Sequence, residues 1–220
     1  MSNASLYRFG GVFLILGPLL GVIAAIVGLF TETSFQAPVS TFHSALWPTY
    51  YSLSLLGGML LLIGLPALYV RQSGGRGGKI GLVGILLYAL SICMGLAVSG
   101  YLISILPYLA DKSPNIIEDS FKTSIATFPL GSFLFGLIGA VLLCIAVIRA
   151  KVYPSYVGIL LLLSGVLDLS NIFATDTVAS IIGLISQGSL LLAFSTAGIK
   201  LFNQRKPLNS EAHQRTVNLP

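Results

Sequence analysis

Long runs of apolar residues, separated by short polar segments, make up the chain from its start to about residue 200. A helix needs about 20 apolar residues to cross the roughly 30 Å of hydrocarbon in a bilayer. Six runs reach or approach that length, and they are Phe9–Phe30, Tyr51–Val70, Ile80–Leu106, Phe128–Ile148, Val157–Ala174 and Val178–Ile199. The pattern predicts an all-α, polytopic membrane protein with six transmembrane helices. Because only "TDT" separates the last two runs, they should form a tight antiparallel pair.

The odd-numbered runs begin alike, which suggests a repeated helical hairpin. "YRFGGVFLILGPL", "KIGLVGILLYALS" and "SYVGILLLLSGV" each set a glycine just past the start of the run, followed by aliphatic residues. We therefore expect three helical hairpins in one domain over residues 1–200. Residues 201–220 are polar and are predicted to form a disordered cytoplasmic tail.

Two segments between the runs predict short amphipathic helices at the membrane interface. "TETSFQAPVSTFHSALWPTYY" places Phe42, Leu46 and Trp47 at helical spacing, and "SPNIIEDSFKTSIATF" repeats apolar residues every four positions. Tryptophan is enriched at the headgroup level, so Trp47 is expected to be an interfacial anchor.

Composition and charge strengthen the membrane assignment. The chain is 55% hydrophobic and 9% charged, with a mean hydropathy of +0.92, whereas soluble domains carry about 25% charged residues. The net charge of +5 could indicate nucleic-acid binding, but its placement argues against that role. In the six-span arrangement only Lys112 and Lys122 fall on one side. The other side carries Arg8, Arg71, Arg76, Lys79, Arg149, Lys151, Lys200, Arg205, Lys206 and Arg215. The positive-inside rule then places both termini in the cytoplasm of a multi-pass protein of the bacterial plasma membrane.

One stretch resembles a known kind of protein. "LWPTYYSLSLLGGMLLLIGLPALYVRQSGGRGGKIGLVGILL" is similar to the core of small six-span bacterial integral membrane proteins of uncharacterised function. The likeness covers about half of the chain and depends mainly on glycine and leucine. Members often carry a histidine just after the Trp-Pro pair, where this chain has Tyr50 and Tyr51. The resemblance therefore implies a fold and a location, without a metal or haem role.

The fifth run contains the most informative polar positions. Ser164, Asp168, Asn171 and Thr175 follow one another at i, i+4, i+7 and i+11, which places them on one face of a helix. Through the tight turn, Asn171 should lie level with Ser180, and Asp168 level with Gly183, a turn from Gln187. If the helix leaves the hydrocarbon near Ala174, Asp168 lies about 9 Å below that point. These six polar residues, Ser164, Asp168, Asn171, Thr175, Ser180 and Gln187, form the candidate ligand-binding site.

Asp168 allows three interpretations. A carboxylate at the bilayer centre costs about 2.5–3.5 kcal/mol on insertion scales, and intramembrane acids are functional hypotheses by default. Asp168 could be a structural polar clamp between the last two helices, an outward-opening ligand, cation or proton site, or a water-exposed acid. Replacement by Asn separates them, since a clamp would keep folding and activity, whereas a proton site would lose function without losing expression.

Small residues repeat at four-residue intervals in three of the runs. The sets are Gly17, Gly21 and Ala25; Ser132, Gly136 and Ala140; and Ala193 and Ala197. Such spacing lets helix backbones approach closely in lipid. It predicts a compact monomeric bundle or, alternatively, an interface with protein partners or with further copies of the chain. Pro18 and Pro66 are expected to kink their helices.

The residue types that are missing from the runs limit the possible chemistry. No run contains a histidine for haem ligation or a lysine for a retinal Schiff base, so no cofactor and no metal are expected. The leading hypothesis is a non-enzymatic protein that binds or passes a small solute or cation through an outward-facing polar pocket, with membrane lipids around it. The alternatives are an accessory or structural subunit of a larger membrane complex and, third, an intramembrane enzyme that uses Asp168, Asn171 and His43.

Overall fold

The computed structural model describes residues 3–31, 39–73, 77–112, 127–171, 173–174 and 176–203. Those residues contain helices and no strands, which confirms the all-α class for them. The helices are α1 Asn3–Gly28, α2 Val39–Phe42, α3 Leu46–Gln72, α4 Gly78–Lys112, α5 Thr127–Ala150, α6 Ser155–Asn171 and α7 Asp176–Phe202. Most of the second predicted interfacial helix (113–128) and of the predicted tail (201–220) lies outside the described residues, and Leu201 and Phe202 of that tail belong to α7.

Five of the described helices, α1, α3, α4, α5 and α7, are long and apolar enough to cross a membrane. Each overlaps one of the predicted apolar runs and extends it by a few residues at one or both ends. α6 is also apolar but has only 17 residues. The structure is therefore that of a helical membrane protein. Backbone helix continues through Pro18 in α1 and Pro66 in α3.

The long helices pack as a closed ring. Each one contacts its neighbours in the chain, and the last, α7, returns to pack against α1. Glycines permit this closeness: a Cβ on Gly17 of α1 would lie 2.8 Å from the carbonyl oxygen of Gly57 in α3. On the other flank of α1, a Cβ on Gly11 would lie 2.7 Å from the carbonyl oxygen of Gly198 in α7. Backbone therefore meets backbone where larger side chains would hold the helices apart.

The two ends of the ring differ in charge and in packing. Arg8, Arg71, Lys79, Arg149, Lys151 and Lys200 lie at one end, which we call the basic end. The half of the ring on that side is filled by large buried side chains such as Leu14, Leu68, Leu143 and Phe194. The opposite end, called the cavity end, encloses the space described in the next subsection.

A small aromatic cluster covers α3 and α4 at the cavity end. Trp47 is fully buried there, between Phe42 and Tyr51 with ring centroids 4.7 Å away on each side. Its indole Nε1 donates a hydrogen bond of 2.9 Å to the carbonyl oxygen of Leu102. The expected interfacial role of Trp47 is therefore wrong, because it lies in the first turn of α3 and has protein on all sides.

The small-residue positions predicted for helix packing lie inside the ring. Ala140, Ala193 and Ala197 are fully buried, and a Cβ on Gly136 would meet the Ser91 hydroxyl at 2.8 Å. Gly17 and Gly21 contact α3 and α7, respectively. The sequence allowed two roles for these small residues: packing within a compact bundle, or an interface with other proteins. The observed contacts are of the first kind, because these residues already pack against helices of the same chain.

Candidate functional site

A cavity of about 370 Å³ occupies the cavity end of the ring. All six long or apolar helices, α1 and α3 to α7, contribute to its wall. Much of the wall consists of glycine and serine, and these residues are too small to fill the centre of the ring, whereas leucine and phenylalanine fill it toward the basic end. The volume falls in the range of small-molecule sites, about 300–1,000 Å³. A wall with this many hydroxyl groups can also hold water.

Asp168 supplies the charge of the cavity. It is the one charged side chain among the described residues that line it. The buried hydroxyl of Ser186 donates a hydrogen bond of 2.6 Å to Asp168 Oδ1, a length typical of a charge-assisted bond. No other described group hydrogen-bonds to this carboxyl group. Ser186 lies behind Asp168 and does not line the cavity, so the second carboxyl oxygen is the one that can meet a solute.

Asp168 lies nearer the helix end than the sequence indicated. α6 ends at Asn171, so Asp168 is three residues, or about 4.5 Å, from its C-terminus. The C-terminus of a helix carries partial negative charge and does not favour a carboxylate. The position therefore adds electrostatic cost, and a cation or cavity water would offset that cost.

The pairing of α6 with α7 differs by about one turn from the prediction. Asp168 meets Ser186, where the sequence placed Gly183 beside it, and the nearest described side-chain atom to a Cβ on Gly183 is Asn171 Nδ2, at 3.7 Å. α6 stops at Asn171, three residues before the end of the predicted run at Ala174, whereas α7 begins at Asp176. Because Asn171 lies beside Gly183, about two turns of α7 project past the end of α6.

Five of the six predicted site residues line this one cavity. They are Ser164, Asp168, Asn171, Ser180 and Gln187, and the sixth, Thr175, lies outside the described residues. Ser164 is buried and donates to its own helix, at Leu161 O, 2.8 Å away.

The three remaining lining residues differ in how their polar atoms are placed. Gln187 Oε1 occupies the place where a Cβ on Gly21 would be, so it reaches across to α1. The Ser180 hydroxyl donates a hydrogen bond of 3.4 Å to the carbonyl oxygen of Gly28. Asn171 Oδ1 is buried and has no hydrogen-bond partner among the described residues.

The rest of the wall was not predicted. Tyr50 of α3 and Tyr88 of α4 also line the cavity. Ser91 and Ser132 join α4 to α5 by a reciprocal pair of bonds, in which each hydroxyl donates to the other residue's carbonyl oxygen, at 2.7 and 2.9 Å. Serines within the apolar runs could have indicated these walls, but only the closed ring shows that they face Asp168.

The structure does not assemble the groups proposed for an enzyme. His43 does not line the cavity in the described chain, and its Nε2 lies 3.4 Å from Asp111 Oδ1 at the exposed surface. The hydroxyl nearest to Asp168 belongs to Ser186, which does not line the cavity. Among the described residues there is no group of three or more His, Cys, Asp or Glu side chains that could hold a metal ion.

The wall contains one carboxylate, several serine hydroxyl groups, two side-chain amides and the side chains of two tyrosines. Such a wall can bind a small solute by hydrogen bonds and charge. Comparison with known proteins found no matching family model, no similar curated protein and no matching solved structure.

Proposed function

We propose that the chain is a multi-pass protein of the bacterial plasma membrane with six spans, arranged as three hairpins, and with both termini in the cytoplasm. α6 supports the sixth span, because its 17 residues would extend about 26 Å and it packs between α5 and α7, which are both long enough to cross. The basic end supports the orientation, since Lys and Arg accumulate on the cytoplasmic side.

We further propose that the cavity binds a small cationic solute from the outer side of the membrane. The observation that carries this proposal is the single carboxylate, Asp168, in a polar cavity whose described wall has no basic side chain. Opposite charge in a site of low dielectric is attracted more strongly than in water. A cation would also offset the cost of placing a carboxylate near the C-terminus of α6.

Two further features favour a donor-rich cation such as an ammonium group. Asn171 Oδ1 is an acceptor without a described donor, and a buried unmet acceptor costs about 1–3 kcal/mol. Tyr50 and Tyr88 add aromatic surface, and aromatic faces attract cations. An ammonium ligand could donate to Asp168 and Asn171 while resting against a ring.

Binding, rather than open passage, fits this conformation. Translocation would require a continuous polar path through the bundle, past the predicted kinks at Pro18 and Pro66. Pro18 lines the cavity, but Pro66 is exposed on the outside of the ring, and the basic half between them is filled by Leu65, Leu68 and Phe194. Translocation would need a second conformation in which that apolar packing opens.

The other hypotheses from the sequence gain less support. A clamp role for Asp168 accounts for its bond to Ser186, but it leaves the second carboxyl oxygen and Asn171 Oδ1 unexplained. The accessory-subunit hypothesis relied on small-residue faces that pack within this chain. The enzyme hypothesis needs His43 near Asp168, and His43 lies beside Asp111 instead.

Binding can be tested by thermal stability of the purified protein with small amines and their neutral isosteres. A ligand present at about 100 times its Kd stabilises a protein by about 2.7 kcal/mol, which is a measurable rise in Tm. We expect at least one amine to raise the Tm of the wild type and of Asp111→Asn, the matched removal of a carboxylate outside the cavity. The same amine should have little effect on Asp168→Asn. Equal stabilisation by neutral isosteres, undiminished in Asp168→Asn, would show that the carboxylate is not the recognition element.

A further inference from the structure

A second pocket lies at the basic end, on the opposite side of the molecule from the Asp168 cavity. It has a volume of about 250 Å³ and is lined by Arg71 of α3, Lys200 of α7, and Val152 and Tyr153 of the connection between α5 and α6. Two of these four residues are cationic, and no acidic side chain is among the described residues that line it. The described lining of this pocket therefore carries positive charge.

The connection between α5 and α6 holds the pocket in shape. Lys151 directly follows α5 and has a φ of 53°, in the left-handed region. Its amide donates a hydrogen bond of 3.2 Å to the carbonyl oxygen of Val147. After this turn, Val152 and Tyr153 lie at the basic end of the helix ring, where both line the pocket. Lys200 Nζ donates a hydrogen bond of 3.3 Å to the carbonyl oxygen of Val152. This bond uses one of the three N–H donors of the ammonium group. The remaining donors are available to a ligand.

The hydroxyl group of Tyr153 lacks a hydrogen-bond acceptor in the described part of the chain. Its side chain is 4% exposed, and its hydroxyl is buried with no hydrogen-bond partner among the described residues. Burial raises the pKa of Tyr153 although the nearby charge of Arg71 opposes that shift, so the phenol stays protonated at neutral pH and can donate. A buried donor without an acceptor costs free energy that a ligand oxygen would recover.

We propose that this pocket binds a phosphate group, with Arg71, Lys200 and the Tyr153 hydroxyl as its donors. A phosphate presents several acceptor oxygens in different directions, so a guanidinium, an ammonium and a phenol can each engage one. The phosphate can belong to the headgroup of an anionic phospholipid or to a soluble ion. Basic pockets between helices at the cytoplasmic side of a membrane suit lipid headgroups. The site is independent of the Asp168 cavity.

The two sources can be separated with the full-length protein in a neutral detergent. Phosphatidylglycerol, phosphatidylcholine and inorganic phosphate are each added, and retained lipid is measured by native mass spectrometry beside the Tm. Retention of phosphatidylglycerol over phosphatidylcholine supports a headgroup site, and a rise in Tm with inorganic phosphate supports a soluble ligand. If neither phosphatidylglycerol nor phosphate is bound in preference to phosphatidylcholine, the proposal is overturned.

Variants test whether the binding occurs in this pocket. Loss of one charged donor should weaken the affinity by about tenfold, so Lys200→Gln should bind the effective probe weakly. Arg149→Gln is the matched control, because it removes a cation from the last turn of α5, outside the pocket. Equal loss in both variants would mean that general surface charge, and not this pocket, attracts the probe.

Tyr153→Phe separates recognition from folding. Because its hydroxyl has no described partner, removing it should leave the Tm without a probe unchanged or slightly higher, while the affinity for the effective probe falls several-fold. A lower Tm without any probe, combined with unchanged affinity, would assign Tyr153 a structural role and contradict the proposal.

Discussion

Asp168 is hydrogen-bonded to the protein on one side and lines a cavity on the other. Its Oδ1 accepts from Ser186, which is buried behind it, and the cavity lies in front of it. The sequence could predict the polar stripe around Asp168, because helical periodicity fixes which residues share a face. It could not predict Ser186 as the partner, because that depends on where the turn between α6 and α7 falls.

The bond between Ser186 and Asp168 should stabilise the fold. Hydrogen bonds to charged groups contribute about 1.5–3 kcal/mol, and polar contacts between membrane helices average about 0.6 kcal/mol. We therefore expect a coupling of about 1 kcal/mol between Ser186→Ala and Asp168→Asn in a double-mutant cycle. The measurement is reversible unfolding of the four proteins in detergent. Strictly additive effects would indicate that the bond contributes nothing to stability.

Trp47 gives a spectroscopic test of the corrected interface. It is the single tryptophan of the chain, so intrinsic emission reports on one site. Since it is fully buried and donates to Leu102 O, its emission should be blue-shifted and poorly quenched by aqueous iodide or by bromine-labelled lipids. Strong quenching by labels at headgroup depth would instead restore the interfacial anchor that the sequence suggested. Membrane-interface tryptophans are normally reached by such labels.

At the scale of elements, contacts between glycines and facing backbone set the distances between helices. Gly17 of α1 and Gly57 of α3 face each other, and a Cβ on Gly57 would lie 2.7 Å from the carbonyl oxygen of Gly17. α1 packs closely against α3 on one side and against α7 on the other, and these two contacts close the ring. Small-residue spacing predicted close helix contacts, but not which pairs of helices would form them.

Two glycine substitutions should change stability in opposite directions. A Cβ on Gly17 would lie 2.8 Å from Gly57 O and 2.9 Å from Leu61 N, both backbone atoms, so Gly17→Ala should destabilise by about 1–3 kcal/mol. Gly188 of α7 has no atom within 4 Å of its Cβ position among the described residues. Gly188→Ala should therefore stabilise the helix by about 0.5–1 kcal/mol. Similar effects at both sites, measured by Tm, would contradict the close α1–α3 contact.

The helices themselves were the most predictable part of the molecule. Every apolar run corresponds to a described helix, since about 20 apolar residues leave few alternatives in lipid. α3 begins at Leu46, earlier than the run at Tyr51, because its first turn includes the polar Thr49 and the Trp-Pro pair, which the sequence assigned to a separate interfacial segment. The walls supplied by Tyr50 and Tyr88 come from tertiary packing, which hydropathy does not encode.

At the scale of the whole molecule, the two halves of the ring differ in side-chain size. Gly17, Gly57 and Gly95 line the half that contains the cavity, and Leu14, Leu68 and Leu143 fill the half toward the basic end. As a result, the cavity that contains Asp168 ends at the apolar core that fills the half of the ring toward the basic end. Under the proposed function, a solute would reach Asp168 from the cavity end without crossing the apolar half of the ring.

The reactivity of a cysteine placed in the cavity tests this central claim most directly. Ser99→Cys, which lines the cavity on α4, would be made in a background with Cys93 and Cys144 replaced by Ser. Membrane-impermeant cationic and anionic thiol reagents of equal size are added outside intact cells. We expect modification, with the cationic reagent favoured, and we expect that preference to fall to the intrinsic ratio of the two reagents when Asp168→Asn is added. No modification from outside, or a preference unchanged by Asp168→Asn, would contradict an outward-facing cavity governed by Asp168.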